Sequence, residues 1–74
     1  MNIERCYKRF GKNVRNIRLA FGISQEVLGE RVGLTRTSIV NIEYGRQRVL
    51  LADVQRFAVA LRTDRKFLLK ELWS

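Results

Sequence analysis

Apolar residues recur at intervals of three and four along most of the chain, which is the spacing of one face of an α-helix. The first stripe consists of Ile3, Tyr7, Phe10, Val14, Ile17 and Phe21. It predicts a helix that ends at Gly22, because glycine readily forms a left-handed C-terminal cap. Ser24 and Thr35 are good N-caps, and they predict two short helices over about residues 24–32 and 35–44. Gly33 lies between them and supplies the positive φ of a tight turn.

The second half of the chain predicts two further helices after a basic connector over residues 46–50. The buried face of the fourth helix is predicted to carry Leu51, Val54, Phe57, Ala58 and Leu61. Asp64 is the expected N-cap of a fifth helix over about residues 64–73. Neither an alternating strand pattern nor an internal repeat is found. The sequence therefore predicts an all-α fold, with five helices in one compact domain over residues 1–74.

The composition argues against most enzyme and metal chemistry. The chain has 74 residues, a single cysteine and no histidine. A disulfide within the chain and a structural zinc site are therefore not expected, and a histidine base for a nucleophile is absent. The few carboxylates are scattered among basic residues. We predict no catalytic residues, no metal and no cofactor, and we interpret Cys6 as a small apolar filler.

The hydropathy also argues against a membrane protein. No apolar run reaches the length of a membrane span, and the N-terminal residues lack the apolar core of a signal peptide. We therefore expect a cytoplasmic protein that does not span a membrane. No small-molecule ligand is expected either, since so small a helical domain leaves little room for a deep pocket.

The net charge of +8 predicts affinity for a polyanion. The basic residues are concentrated in two segments, 1–22 and 45–66, and the segment between them is balanced. A nucleic acid or an anionic membrane surface would suit such a distribution. A membrane-active peptide, however, would need only one apolar and one basic stripe, and it would not need the Gly29, Gly33 and Thr35 pattern. Nucleic acid is therefore the favoured partner, with a nucleoid-associated location.

Two segments carry a resemblance to a known family. They run from Arg18 to Glu26 (RLAFGISQE) and from Gly33 to Arg46 (GLTRTSIVNIEYGR). With the spacing of Gln25, Gly29, Gly33, Ile39 and Ile42, the chain resembles the Cro/CI-type (XRE-like) helix-turn-helix family. This family includes small phage repressors and restriction–modification controller proteins. The resemblance implies a five-helix, lambda-repressor-like domain.

The resemblance also implies roles for individual residues. The third helix would lie in the major groove of DNA, with base contacts from Arg36, Thr37 and Asn41. Arginine can bind guanine and asparagine can bind adenine through paired hydrogen bonds. The expected contacts to backbone phosphates are Ser24, Gln25, Arg46, Arg48 and Lys12. Arg18 and Glu43 stand where the family has a partly buried ion pair. For Tyr44, stacking on a sugar and local packing remain open.

The chain departs from the family pattern at two places. Gly29 replaces a common alanine, and a Gly29→Ala substitution is predicted to be tolerated while a long side chain is not. Leu50 stands where a serine or threonine usually caps the fourth helix, and Val49 precedes it. These two residues are expected to be exposed apolar groups near a subunit contact.

The C-terminal apolar residues exceed what the core of one small domain can cover. We expect Phe67, Leu69, Leu72 and Trp73 to form a two-fold dimer contact. The predicted function is that of a homodimeric, sequence-specific double-stranded DNA-binding regulator, a repressor or controller acting at a near-palindromic operator. RNA polymerase is a further candidate partner. The alternatives are an antitoxin or anti-repressor subunit whose main partner is another protein, and a sequence-neutral nucleic-acid binder.

Overall fold

The chain folds into five α-helices, seen in a computed structural model that describes residues 2–73. Their bounds are α1 Ile3–Phe21, α2 Gln25–Val32, α3 Arg36–Glu43, α4 Leu51–Ala60 and α5 Arg65–Leu69. No strand occurs within the described residues. The predicted all-α fold and the number of helices are confirmed.

Local capping explains where the first three helices begin and end. The hydroxyl of Ser24 accepts a hydrogen bond from the Val27 N–H at 3.1 Å, and that of Thr35 accepts one from the Ser38 N–H at 3.0 Å. Each hydroxyl satisfies a backbone donor that the first helical turn leaves unpaired. α1 and α2 end at glycines in the left-handed conformation, Gly22 and Gly33. The turn between α2 and α3 therefore forms as predicted.

The core is small and lies where α1 to α5 meet. The rings of Phe10 in α1 and Phe57 in α4 contact each other edge to face, with centroids 6.0 Å apart. The buried apolar side chains are Phe10, Val14, Leu28, Val32, Ile39, Ile42, Phe57, Ala58, Leu61 and Leu68. Ile39 and Ile42 hold the inner side of α3 against this core, which leaves its outer side free.

Two glycines allow backbones to approach more closely than any side chain would permit. At Gly11, a β-carbon would overlap the carbonyl oxygen of Ile42 and lie 2.7 Å from that of Glu43, so α1 contacts the end of α3 directly. At Gly29, a β-carbon would lie 2.7 Å from the carbonyl oxygen of Leu34. The prediction that Gly29 tolerates alanine is therefore wrong, because the obstacle is rigid backbone in the turn.

The start of α4 differs from the prediction. Leu50 has no side-chain acceptor, but the carboxylate of Asp53 accepts a hydrogen bond from the Leu50 N–H at 3.1 Å. Val49 is half-buried and packs against the core instead of lying exposed. Leu51, predicted on the buried face of α4, is 90% exposed. The connector thus packs Val49 against the core, whereas the first turn of α4 projects beyond the core into solvent.

α5 ends at Leu69, several residues before the predicted end. The amide nitrogen of the buried Asn13 side chain donates hydrogen bonds to the carbonyl oxygens of Leu68, at 2.9 Å, and Lys70, at 3.1 Å. The Cys6 thiol donates one to the carbonyl oxygen of Leu72 at 3.1 Å. The Leu68 carbonyl, which would accept from the Leu72 N–H in a longer helix, is therefore bound by α1 instead. Glu71 adopts a positive φ of 61°, and residues 70–72 lie against α1.

Candidate nucleic-acid interface

The outer side of α3 presents the side chains predicted to contact bases. Arg36 and Thr37, in the first turn of α3, are exposed, and Asn41, one turn later, is half-buried. Ile39 and Ile42 are fixed in the core on the opposite side. The three polar side chains therefore share the surface of α3 that faces away from the domain.

A buried ion pair fixes the far end of α3 to α1. Arg18 Nε lies 2.6 Å from Glu43 Oε2, and Arg18 Nη2 lies 3.0 Å from Glu43 Oε1, so the contact is bidentate. The two side chains are only 8% and 3% exposed. Arg18 Nη1 also donates to the carbonyl oxygen of Ile23 at 3.0 Å. The cost of desolvating such a pair offsets much of its attraction, so its main consequence is the fixed orientation of α3.

Gln25 extends this network to α2. Its amide nitrogen donates a hydrogen bond to Glu43 Oε1 at 3.2 Å. The Glu43 carboxylate on α3 therefore accepts hydrogen bonds from side chains of both α1 and α2, which connects the three helices. Sequence reasoning assigned Gln25 to a phosphate and did not foresee this second contact.

A shallow polar cavity of about 580 Å³ lies between the start of α2 and the start of α3. Its lining residues are Arg15, Arg18, Ser24, Gln25, Glu26, Arg36 and Tyr44. The free N–H groups and the dipole at the N-terminus of α2 favour an anion at this point. The cavity thus brings the predicted phosphate residues Ser24 and Gln25 beside the predicted base reader Arg36. It also includes Arg15, to which the sequence assigned no contact.

The three remaining predicted phosphate residues lie apart from one another. The guanidinium of Arg46 stacks on the Tyr44 ring, 4.8 Å from its centroid, so Tyr44 serves as a platform that orders Arg46. Arg48 is exposed at the edge of an apolar groove. Lys12 lies on the exposed side of α1, where it lines a separate basic cavity with Arg5, Lys8, Arg9 and Glu71.

The apolar groove runs between α1, the start of α4 and the C-terminal turn. Its volume is about 470 Å³, and its lining residues are Ile3, Cys6, Tyr7, Phe10, Arg48, Val49, Leu51, Val54, Leu69, Leu72 and Trp73. Of the residues predicted for a dimer contact, Leu69, Leu72 and Trp73 therefore lie together, but Phe67 does not line the groove. Sequence reasoning missed Ile3 and Leu51. A signal was present at Leu51, since two adjacent leucines at a helix start cannot both face the core.

No group of three or more histidine, cysteine, aspartate or glutamate side chains within residues 2–73 could hold a metal ion. No helix in the same range combines the length and the apolar character needed to cross a bilayer.

Comparison with known proteins relates the chain to DNA-binding regulators. The family described as "Helix-turn-helix domain" matches residues 9–67. An "Uncharacterized HTH-type transcriptional regulator" of Methanothermobacter thermautotrophicus is 44% identical over 48 residues, which are 65% of this chain and 70% of that protein. The family match spans α2, α3 and every residue that lines the cavity between them.

Solved structures show the same architecture. The restriction–modification controller protein C.AhdI from Aeromonas hydrophila is 31% identical, with a TM-score of 0.86 over 92% of this chain and 99% of that one. The hypothetical transcription factor NHTF from Neisseria is 29% identical, with a TM-score of 0.82 over 93% and 79%. The P22 c2 repressor, solved with a synthetic operator, is 26% identical, with a TM-score of 0.75 over 82% and 92%.

Proposed function

Since this chain belongs to the helix-turn-helix domain family and is a transcriptional regulator similar to controller proteins and phage repressors, we propose that it binds double-stranded DNA sequence-specifically, as a homodimer. The observation that carries the proposal is the position of Arg36 and Thr37. Both are exposed in the first turn of α3, and Arg36 lines the same cavity as the N-terminus of α2. A helix presented in this way can enter the major groove while α2 contacts the backbone.

The base contacts are assigned to Arg36, Thr37 and Asn41. Arg36 can donate two hydrogen bonds to O6 and N7 of guanine, and Asn41 can pair with adenine in the same bidentate manner. Thr37 offers a hydroxyl group and a methyl group to a neighbouring base. The Arg18–Glu43 pair holds the other end of α3, so the angle of the helix is set before DNA arrives.

The phosphate contacts are assigned to two groups of residues. Ser24 and Gln25 act at the N-terminus of α2, where backbone N–H groups favour an anion. Arg46 acts from its stacked position on Tyr44. Arg48 acts from an exposed position in the connector before α4, and Lys12 from an exposed position on α1. These contacts fix the register of α3 on the duplex but do not read the sequence themselves.

The homodimer is assigned to the apolar groove. Leu51 and Trp73, which line the groove, are 90% and 68% exposed, and Leu50, next to Leu51 in the chain, is 70% exposed. A second copy is the simplest partner for apolar side chains left open in so small a domain. A two-fold dimer would place two copies of α3 in successive major grooves, about 34–36 Å apart. The operator is therefore expected to be a near-palindrome. Contact with RNA polymerase would follow from where that operator lies relative to a promoter.

Selection from a pool of random-sequence duplexes at near-physiological salt tests this function. The unaltered protein is expected to enrich one near-palindromic site with two half-sites. An Arg36→Ala/Asn41→Ala variant should lose this enrichment. The matched control Arg62→Ala/Gln55→Ala, altered at exposed positions within α4 and just after it, should keep it. No enrichment by the unaltered protein would point instead to sequence-neutral binding, and enrichment of a single half-site would contradict the dimer.

A further inference from the structure

The exposed side of α1 carries four basic residues in one line. They are Arg5, Lys8, Lys12 and Arg15, and all four are exposed. At 3.6 residues per turn they fall within an arc of about 80° around the helix. Phe10 and Val14 lie on the other side of α1, in the core. We call this line of four side chains the α1 basic stripe.

The stripe itself contains only basic residues, although Glu71 lines the same cavity as Arg5, Lys8 and Lys12. None of the four forms an ion pair within residues 2–73, whereas Arg9, on the adjacent side of the helix, contacts the Glu71 carboxylate at 2.7 Å. Like charges three and four residues apart on one helix face repel each other. The stripe therefore disfavours the isolated fold slightly, and a bound polyanion would relieve that repulsion.

The stripe adjoins the proposed DNA surface at two of its four residues. Arg15 lines the cavity that holds Gln25 and Arg36. Two turns nearer the N-terminus, a β-carbon on Gly45 would lie only 2.6 Å from the Lys8 α-carbon. The N-terminal half of α1 is thus pressed against the loop that carries Arg46.

From these contacts we propose that the α1 basic stripe is a second phosphate-binding surface, which follows one strand of the DNA backbone alongside the contacts made by α2 and α3. The inference rests on the proposed function and extends it from Lys12 to Arg5, Lys8 and Arg15. Ten residues of helix separate Arg5 from Arg15, a rise of about 15 Å. One DNA strand carries about four phosphates over that length of helix axis, which matches the number of cations.

The salt dependence of binding distinguishes such contacts from a general electrostatic field. Each phosphate contact contributes about 0.9 to the slope of log K against log salt concentration. The test compares Arg5→Gln/Lys8→Gln with the control Arg62→Gln/Arg65→Gln, which removes the same charge from exposed positions at the corner of α4 and α5. Binding to the selected site is titrated at several salt concentrations, and circular dichroism verifies that each variant is folded.

In the dimer, Arg5→Gln/Lys8→Gln is expected to reduce the slope by up to about 3.6, since four phosphate contacts are lost. Preference among single-base variants of the site should not change. The control variant should keep the slope of the unaltered protein. Equal reductions in both variants would overturn the proposal, because they would mean that the stripe acts only through net charge.

Phosphate ethylation interference supplies a readout of position. Ethylation at each of a consecutive set of phosphates should block DNA binding by the unaltered protein. DNA binding by Arg5→Gln/Lys8→Gln should no longer be affected by ethylation at one end of that set. An unchanged interference pattern would contradict the stripe. If selection enriches no site, the slope comparison is made on random-sequence duplex instead. The stripe then still predicts a difference between the two variants, so its failure and that of the proposed function are distinguishable.

Discussion

The polar cavity between α2 and α3 and the apolar groove beside α4 are built in opposite ways. Arg18 and Gln25, which line the cavity, donate hydrogen bonds of 2.6 to 3.2 Å to the buried Glu43 carboxylate beside it. In the groove, Leu51 and Trp73 are left 90% and 68% exposed, with no apolar cover from the described part of the chain. The side chains of the cavity are held in place by hydrogen bonds within one chain. The groove, in contrast, has apolar side chains that no other part of residues 2–73 covers.

Under the proposed function, the contrast assigns DNA recognition to the cavity and subunit association to the groove. Recognition of DNA requires side chains held at fixed positions before binding, because a helix that rotates loses its base contacts. Subunit association requires apolar area that only a partner can cover. Changes in the cavity should therefore alter folding and specificity, and changes in the groove should alter the oligomeric state.

The largest expected effect concerns the groove. Leu51→Glu removes an apolar side chain worth about 1.5–3 kcal/mol on burial, and a two-fold contact loses it twice. We expect sedimentation at micromolar concentration to show helical monomers instead of dimers. The control is Val59→Glu, since Val59 is equally apolar, is 67% exposed and lies on another side of α4, outside the groove. Equal behaviour of the two variants would exclude the groove as the interface.

The next effect tests whether the ion pair acts as a unit. Arg18→Met leaves the Glu43 carboxylate buried without its cation and should cost about 3–5 kcal/mol of unfolding free energy, measured with urea. Arg18→Met/Glu43→Leu should recover most of that loss. In the control Arg56→Met the loss should be at most about 1 kcal/mol, because the Arg56 side chain that pairs with Asp53 is 57% exposed. Additive losses in the double variant would contradict a mutually dependent pair.

A smaller effect is expected at the turn between α2 and α3. Gly29→Ala gains helix propensity, but its β-carbon would meet the carbonyl oxygen of Leu34. Such overpacking costs about 1–3 kcal/mol, so we expect a net loss of stability in thermal unfolding. Glu30→Ala, at an exposed position of the same helix, serves as the control for propensity alone. A higher melting temperature for Gly29→Ala would contradict this prediction, because it would mean that the backbone of the turn shifts readily to accommodate the methyl group.

The smallest effect concerns the order that Tyr44 imposes on Arg46. Tyr44→Leu removes the ring beneath the guanidinium and should weaken DNA binding by about 0.5–1 kcal/mol, the range of an exposed cation–π contact. Tyr44→Phe keeps the ring and should bind like the unaltered protein. If the phenylalanine variant also loses affinity, the hydroxyl group itself contacts DNA.

Much of this fold could be predicted because its signals are local. Ser24 and Thr35 cap helices through donors three residues away, and Gly22 and Gly33 end helices by their own backbone conformation. The end of α5 could not be predicted in this way. It depends on Asn13, a polar residue on α1 whose amide binds carbonyls 55 and 57 residues later.

The polar cavity and the apolar groove also differ in how far the sequence could predict them. Family resemblance paired Arg18 with Glu43, and the structure contains that ion pair. The roles that the resemblance implies for Arg36 and Gln25 stay predictions. The groove was only partly located, because Leu51 and Phe67 follow helical periodicity without revealing which element lies opposite. At Gly29, propensity alone suggested that alanine would fit, and only the neighbouring backbone shows that it does not.

The central claim is that α3 reads bases while its flanking loop contacts the backbone. Arg36→Ala and Arg46→Ala are compared by titration against the selected site and its single-base variants, at several salt concentrations. Arg36→Ala should cost about 1–3 kcal/mol per half-site and relax preference at one base position, whereas Arg46→Ala should weaken binding to all sites alike and lower the salt slope. An even loss across all sites for Arg36→Ala, with altered base preference for Arg46→Ala, would contradict the account.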